Sequence, residues 1–120
     1  MILLDTDICL SLFFGKITPE DILKGSIEEV CIASITVEEL YRHAKRSSDV
    51  EGNSLLIDQF LLTVRVLFPE LATLKLMADI RHVLQKKGKT ISTEDLTVYA
   101  LSKTHGAKLI TTMGKRYCFT

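Results

Sequence analysis

The chain has no excess of charge of either sign. Fifteen basic residues balance fifteen acidic ones, so it carries neither a basic arm that would grip nucleic acid by charge alone nor an acidic tail. A neutral total still leaves room for a local basic patch. Cysteine is sparse: Cys9, Cys31 and Cys118 lie far apart, their number is odd, and no C-x-x-C occurs. This argues against a disulfide framework and suits buried thiols in a reducing compartment. No apolar run approaches the roughly 20 residues that span a bilayer. The start "MILLDTD" has no basic leader and reaches acids at once, unlike a signal peptide. A soluble cytoplasmic protein is the expectation. Gly15-Lys16 lacks the upstream glycine and following hydroxyl of a phosphate-binding loop, and no G-x-S-x-G marks a nucleophilic serine. His43, His82 and His105 are scattered without metal spacing and are expected at or near the surface. There is no internal repeat and no low-complexity tract.

What is present is a foldable chain. At 47% hydrophobic and 25% charged residues, it can bury a core, and its 120 residues suit one domain, 1–120. "MILL" is apolar without alternation, as in a strand buried on both faces. "TDICLSLFFG" reads as a helix ending at Gly15. Thr18, Pro19, Glu20 and Asp21 form a helix start, with a cap, a first-position proline and acids in the first turn; Gly25 stops it. "EVCIASI" reads as a second buried strand and "TVEELYRHAKRS" as a helix with Val37, Leu40, Tyr41 and Ala44 on one side. "SSDVEGN" reads as a loop, "SLLIDQFLL" as a helix, and "VRVLF" as a strand closed by Pro69. Glu70 to Lys87 is the longest predicted helix, with Leu71, Leu74, Ala78 and Ile80 among its apolar positions. "ISTEDLTVYALSKTHG" is a further helix and "AKLITT" a final strand; the residues after it offer a short edge strand. Helices alternating with buried strands predict an α/β fold with a mostly parallel sheet and helices on both faces.

The acids fall where such a fold puts its ligands, beyond the carboxyl ends of the strands. Asp5 follows the first strand. Glu38 and Glu39 are expected in the first helical turn after the second, and Glu94 and Asp95 in the first turn of the helix before the last. Each has a purely structural role open to it. Asp5 can cap a helix, Thr36-x-x-Glu39 is a capping box as written, and Ser92-x-x-Asp95 has nearly the same spacing. Three segments that each bring a carboxylate to one zone are harder to explain that way. Two carboxylates about 4 Å apart repel by about 4 kcal/mol at an effective dielectric near 20, so such a pocket calls for a proton or a cation. Mg²⁺ and Mn²⁺ favour oxygen ligands of this kind and support phosphodiester hydrolysis. Arg42, Lys45 and Arg46 follow Glu39 by one or two turns and are suited either to an RNA backbone or to a solvated helix face.

In the order and context of these pieces the sequence resembles PIN-domain proteins, and among them the VapC-type toxins. "LLDTDICL" is similar to the family's opening strand and first acid, "SITVEELYRHAKRS" to the segment with its second, and "KGKTISTEDLTVYALSKTHGAKLITT" to the segment with its third. The resemblance implies a three-layer α/β/α sandwich with a mostly parallel four- or five-stranded sheet. It implies a Mg²⁺- or Mn²⁺-dependent endoribonuclease acting as the toxin of a toxin–antitoxin pair. Catalytic and metal-binding acids would be Asp5, Glu39 and Asp95. Asp7, where the family often has Asn or Ser, and Glu94, Thr111 and Thr112 would be secondary. The implied partners are an RNA substrate, a cognate antitoxin and a second copy of the chain.

One position departs from the family. Its closing motif is commonly Thr-x-Asn or Thr-x-Asp, then an aromatic; here Thr111 and Tyr117 match, but Met113 takes the place of the acid or amide. A thioether is a poor ligand for a hard cation, and the chain stops at Thr120 where many relatives continue. An alternative expectation is therefore a catalytically degenerate PIN-like protein that acts as a binding partner. A phosphoacceptor domain of the response-regulator type is disfavoured, because "VRVLFPEL" supplies no acceptor aspartate at its strand end. Met113→Asp is expected to raise Mn²⁺ affinity or activity. An unchanged calorimetric Mn²⁺ titration and an unchanged cleavage rate would place residue 113 outside the metal shell.

Overall fold

The structure is a computed structural model and is described for residues 1–112. Its elements run β1 (Ile2–Leu4), α1 (Thr6–Phe13), α2 (Pro19–Leu23), β2 (Val30–Ala33), α3 (Ser34–Lys45), α4 (Val50–Leu61), β3 (Arg65–Leu67), α5 (Leu71–Lys86), α6 (Thr93–Thr104) and β4 (Lys108–Ile110). The strands form a four-stranded sheet in the order β3-β2-β1-β4. All pairings are parallel. The α/β sandwich expected from the alternating pattern is what forms. The tail "MGKRYCFT", with Met113, Tyr117, Cys118 and the possible edge strand, lies outside the described residues.

Burial of β1 on both faces explains why "MILL" has no polar alternation. Ile2 and Leu4 point into one cluster, with Ile8, Cys9, Ile32, Leu40, Ala44 and Ile57. Leu3 points the other way, to Cys31, Ala33, Leu67, Val98 and Leu101. Helices α1, α3 and α4 cover the first face and α6 the second, with α5 packed on α6. Cys9 and Cys31 are buried free thiols, as their apolar neighbours suggest.

Local signals placed several boundaries correctly. Thr18 caps α2 in a reciprocal box with Asp21, Pro19 opens the helix, and Lys24 and Gly25 both adopt positive φ to end it. Ser92 caps α6 by accepting from the Asp95 amide. Other expectations are corrected. β2 ends at Ala33, so Ser34 and Ile35 are helical rather than strand. Ala33 is the N-cap of α3 and makes no side-chain cap bond, so Thr36 and Glu39 form no capping box, and Glu38 and Glu39 lie in the second turn. The predicted loop "SSDVEGN" holds the start of α4: Asp49 accepts from the Gly52 amide, and Val50 to Asn53 are already helical. On α5, Leu71 and Leu74 are 69% and 51% exposed, and the packed positions are instead Thr73 and Leu84, with Leu76, Met77 and Ile80 half-buried.

The two sides of the fold should differ sharply under mutation. Leu40→Ala, at a fully buried position of α3, is expected to lower unfolding free energy by about 2–5 kcal/mol. Leu74→Ala, on the open side of α5, is expected to stay within about 0.5 kcal/mol. Urea unfolding of both variants checks the contrast.

Candidate active site

Parallel pairing sends every strand's carboxyl end to the same edge of the sheet. At that edge lies a cavity of about 190 Å³ whose wall includes Asp5, Thr6, Asp7, Glu39, Arg42, His43, Arg46, Glu94 and Asp95. The three chain segments expected to converge do so.

Asp5 is fixed from several directions. Its amide donates to the Ile110 carbonyl of β4 at 3.3 Å, its carbonyl accepts from the Cys9 amide at 3.1 Å, and its Oδ1 accepts from the Ile8 amide at 3.0 Å. The carboxylate is only 3% exposed. Asp5 therefore is the N-cap of α1 and also a wall of the cavity; the two roles do not compete. Behind it, burial, reinforced by the charges of Asp5 and Glu39, pushes the Cys9 thiol up to about 12 and keeps it protonated.

Helix α3 supplies the opposite wall. Glu39, Arg42, His43 and Arg46 stand at i, i+3, i+4 and i+7, one helical stripe. The neighbouring stripe, Leu40 and Ala44, is buried in the core. Rotation about the helix thus separates the site from the core by a single residue step. Glu38 lies off the stripe, exposed, and pairs with Arg42 along the helix; such a surface pair contributes at most about 1 kcal/mol. Lys45 also falls off the stripe and does not line the cavity. The basic face expected from Arg42, Lys45 and Arg46 is therefore Arg42 and Arg46, with His43 between them. His43 is exposed, as expected of a surface or partly buried histidine, and it also lines the cavity, which its spacing of four from Glu39 signals. Thr111 and Thr112 follow β4 and are not among the described residues lining the cavity.

Glu39 is held above the ordinary carboxylate range. Desolvation raises its pKa, the charges of Glu94 and Asp95 raise it further, and a 2.8 Å hydrogen bond donated by the Thr6 hydroxyl and the charge of Arg42 work the other way. The same hydroxyl oxygen also lies 3.4 Å from the Thr36 Oγ1. The donor set is chemically right for a hard cation, being carboxylate oxygens on one cavity. Its geometry is open: among the described residues, no three His, Cys, Asp or Glu side chains are grouped so as to hold one metal ion. The arrangement fits an ion held through one or two carboxylates with water filling the remaining positions, the usual habit of Mg²⁺.

The family model described as PIN domain matches residues 2–119. A ribonuclease VapC2 of Haemophilus influenzae is 31% identical over 111 residues, which covers 90% of this chain and 83% of that protein. The structure of VapBC-1 from nontypeable Haemophilus influenzae superposes with a TM-score of 0.84 at 25% identity, covering 98% of this chain and 90% of that one. VapBC2 from Rickettsia felis, solved bound to a DNA fragment from its promoter, superposes with a TM-score of 0.83 at 24% identity over 98% of this chain and 91% of that one, and shares the fold. Among the described residues, no helix is long and apolar enough to cross a membrane.

A raised Glu39 pKa has a defined sign for stability. The folded state binds the proton more tightly than the unfolded chain, so Glu39 makes stability fall as pH rises from its ordinary value of 4.5 through its raised folded value. Thr6→Val removes the hydroxyl that favours the ionised form and is expected to move the Glu39 titration to still higher pH. Carbon-detected NMR titration of the Glu39 carboxyl reads this directly; an unmoved midpoint would remove Thr6 as a determinant.

Proposed function

The chain belongs to the PIN-domain family, and from that premise we propose that it is a divalent-metal-dependent endoribonuclease, the toxin of a toxin–antitoxin pair. The observation that carries this reading is the convergence of Asp5, Glu39, Glu94 and Asp95, from three chain segments, on one cavity at the carboxyl edge of the sheet, with Arg42 and Arg46 on the same wall. The ribonuclease name of the Haemophilus relative supports it.

In this reading one or two of Asp5, Glu39 and Asp95 would ligate Mg²⁺ or Mn²⁺ directly and the rest would hold its waters, and Asp7 and Glu94 would add negative charge around them. A bound divalent ion supplies polarisation of the phosphoryl group and a water of lowered pKa. The residues of this chain do the positioning. Burial and the amide of Ile8 fix the Asp5 carboxylate. Thr6 orients Glu39 and favours its ionised, ligating form. Arg42 and Arg46 offer guanidinium groups to the phosphates flanking the scissile bond, where planar bidentate donors suit phosphate oxygens. The proposed partners are an RNA substrate, a cognate antitoxin and a second copy of the chain, and the proposed setting is the cytoplasm. The solved complexes of VapBC type support the antitoxin.

A second reading is favoured by two specific features: the open placement of the acids and Met113 in place of an oxygen ligand. It makes the chain a PIN-domain protein that binds partners without cutting RNA. Asp5→Asn separates the two. Asparagine caps a helix about as well as aspartate, so the variant is expected to fold and melt like the wild type. Its cleavage of a mixed structured RNA pool is expected to fall by more than the about 100-fold that loss of an outer partner of a metal ligand costs. The wild type should cut with Mn²⁺ or Mg²⁺ and stop with EDTA. A folded wild type that neither cuts nor binds Mn²⁺ would establish the second reading.

A further inference from the structure

Helices α5 and α6 run antiparallel and are tied by polar contacts at two levels. At the level farther from the acidic cavity, the Thr73 and Thr104 hydroxyls lie 3.1 Å apart. At the nearer level Arg81, half-buried on α5, reaches across to the chain entering α6. Its Nη1 donates to the Ile91 carbonyl at 3.5 Å and its Nη2 to the Thr93 hydroxyl at 3.3 Å. Ile91 and Thr93 stand on either side of Ser92, the cap of α6. The Ser92 hydroxyl accepts from the Asp95 amide at 3.1 Å, and its carbonyl accepts from the Leu96 amide at 3.0 Å. Arg81 does not itself line the cavity, whereas Glu94 and Asp95, just past the cap, do.

The connection between the two helices is exposed over residues 87–90, and Gly88 turns it at a φ of +69°. Beyond it, Leu96 is fully buried and anchors the first turn of α6 to the core. Apolar burial is non-directional, so the leucine sets how deep the turn sits without setting its rotation. A planar guanidinium that meets two acceptors does set a direction. With one acceptor on each side of the cap, the fork governs where the carboxylates of Glu94 and Asp95 are presented. We infer that Arg81 is a positioning residue for the third acidic segment, seating the first turn of α6 so that the cavity is ready for a divalent cation before one arrives. The inference rests on the ribonuclease reading and names a residue outside the cavity on which its metal affinity depends. Charge gives the inference a distinctive sign. A guanidinium near acids that bind a cation opposes that binding by Coulomb's law. Arg81 therefore strengthens the site only through geometry, and its removal has opposite effects under the two accounts.

The test is a calorimetric Mn²⁺ titration of the full chain and of Arg81→Met, which keeps an apolar stem and removes the donors. Arg81→Met is expected to bind Mn²⁺ about 2- to 10-fold more weakly, the factor by which one hydrogen bond shifts a balance between seated and unseated turns. Arg81→Lys keeps the charge and loses the fork, and is expected to fall between the two. Thr93→Val removes an acceptor instead and is expected to weaken binding in the same direction, so the test stands even if one variant fails to fold. RNA cleavage by Arg81→Met at saturating Mn²⁺ is expected to return to within about twofold of the wild type, because the ion reseats the turn. Amide NMR reads the same event without RNA. The Asp95 and Leu96 signals are expected to be displaced in metal-free Arg81→Met and to return to their wild-type positions as Mg²⁺ saturates. Unchanged Mn²⁺ affinity in Arg81→Met and Thr93→Val, even with a lowered melting temperature, overturns the inference and leaves Arg81 as a tie between two helices. Tighter binding overturns it in favour of a charge effect. In either case, Mn²⁺ binding and metal-dependent cleavage by the wild type keep the ribonuclease reading. A folded wild type that neither binds Mn²⁺ nor cuts RNA removes both.

Discussion

β1 is the strand on which the rest depends. It is only three residues long, yet it pairs in parallel with β2 on one side and β4 on the other. Its side chains divide between the two hydrophobic clusters. A strand so placed cannot slip without moving Ile2 and Leu4 into the space of Leu3. Its end is therefore fixed in space, and its end is Asp5. The hydrogen bond from the Asp5 amide to the Ile110 carbonyl carries the same constraint across to the last strand. Parallel pairing then brings the starts of α1, α3 and α6 to one edge, which is why acids distant in sequence share a cavity.

Such a cavity concentrates like charge, and the structure shows how the chain answers it. The Glu39 pKa is raised, chiefly because burial strips water from its carboxylate, with the charges of Glu94 and Asp95 adding to it. Two arginines share its helical stripe. Arg42 is partly engaged by Glu38 on the outside, so its charge is moderated rather than wholly given to the acids. The balance leaves a cavity lined by both acids and arginines, a distribution able to attract a cation and a phosphate alike. Net neutrality of the whole chain hides this polarity completely.

The sequence carried the fold wherever the controlling interaction is local. Thr18 with Asp21, Pro19, Ser92 and the unalternated "MILL" each state their role within a few residues. Legibility failed where a distant partner decides. The apolar pattern of α5 includes Leu71 and Leu74, but only the face turned to α6 is covered, and nothing within the helix says which face that is. The start of α4 was obscured because Glu51, Gly52 and Asn53 look like a loop, and the cap by Asp49 outweighs them. For the site, the acids were legible because three separate segments each bring a carboxylate to one zone, although each acid alone could be explained as part of a helix cap. His43 was not, since a histidine among arginines and a lysine suits a solvated face equally well, and only the stripe that begins at Glu39 distinguishes it from Lys45.

The junction between β2 and α3 has a mechanical meaning. Ala33 is the last residue of the strand and the cap of the helix, so no linker separates them. The strand's register sets the angular phase of α3 like a key fixing a gear to its shaft. One residue inserted at Ala33 would turn the helix by about 100°, bringing core residues to the cavity and acids to the core. Surface loops of this chain can lengthen with little consequence, but at this joint there is no backlash, and the spacing from Ala33 to Glu39 shapes the acidic cavity as much as the carboxylate itself does.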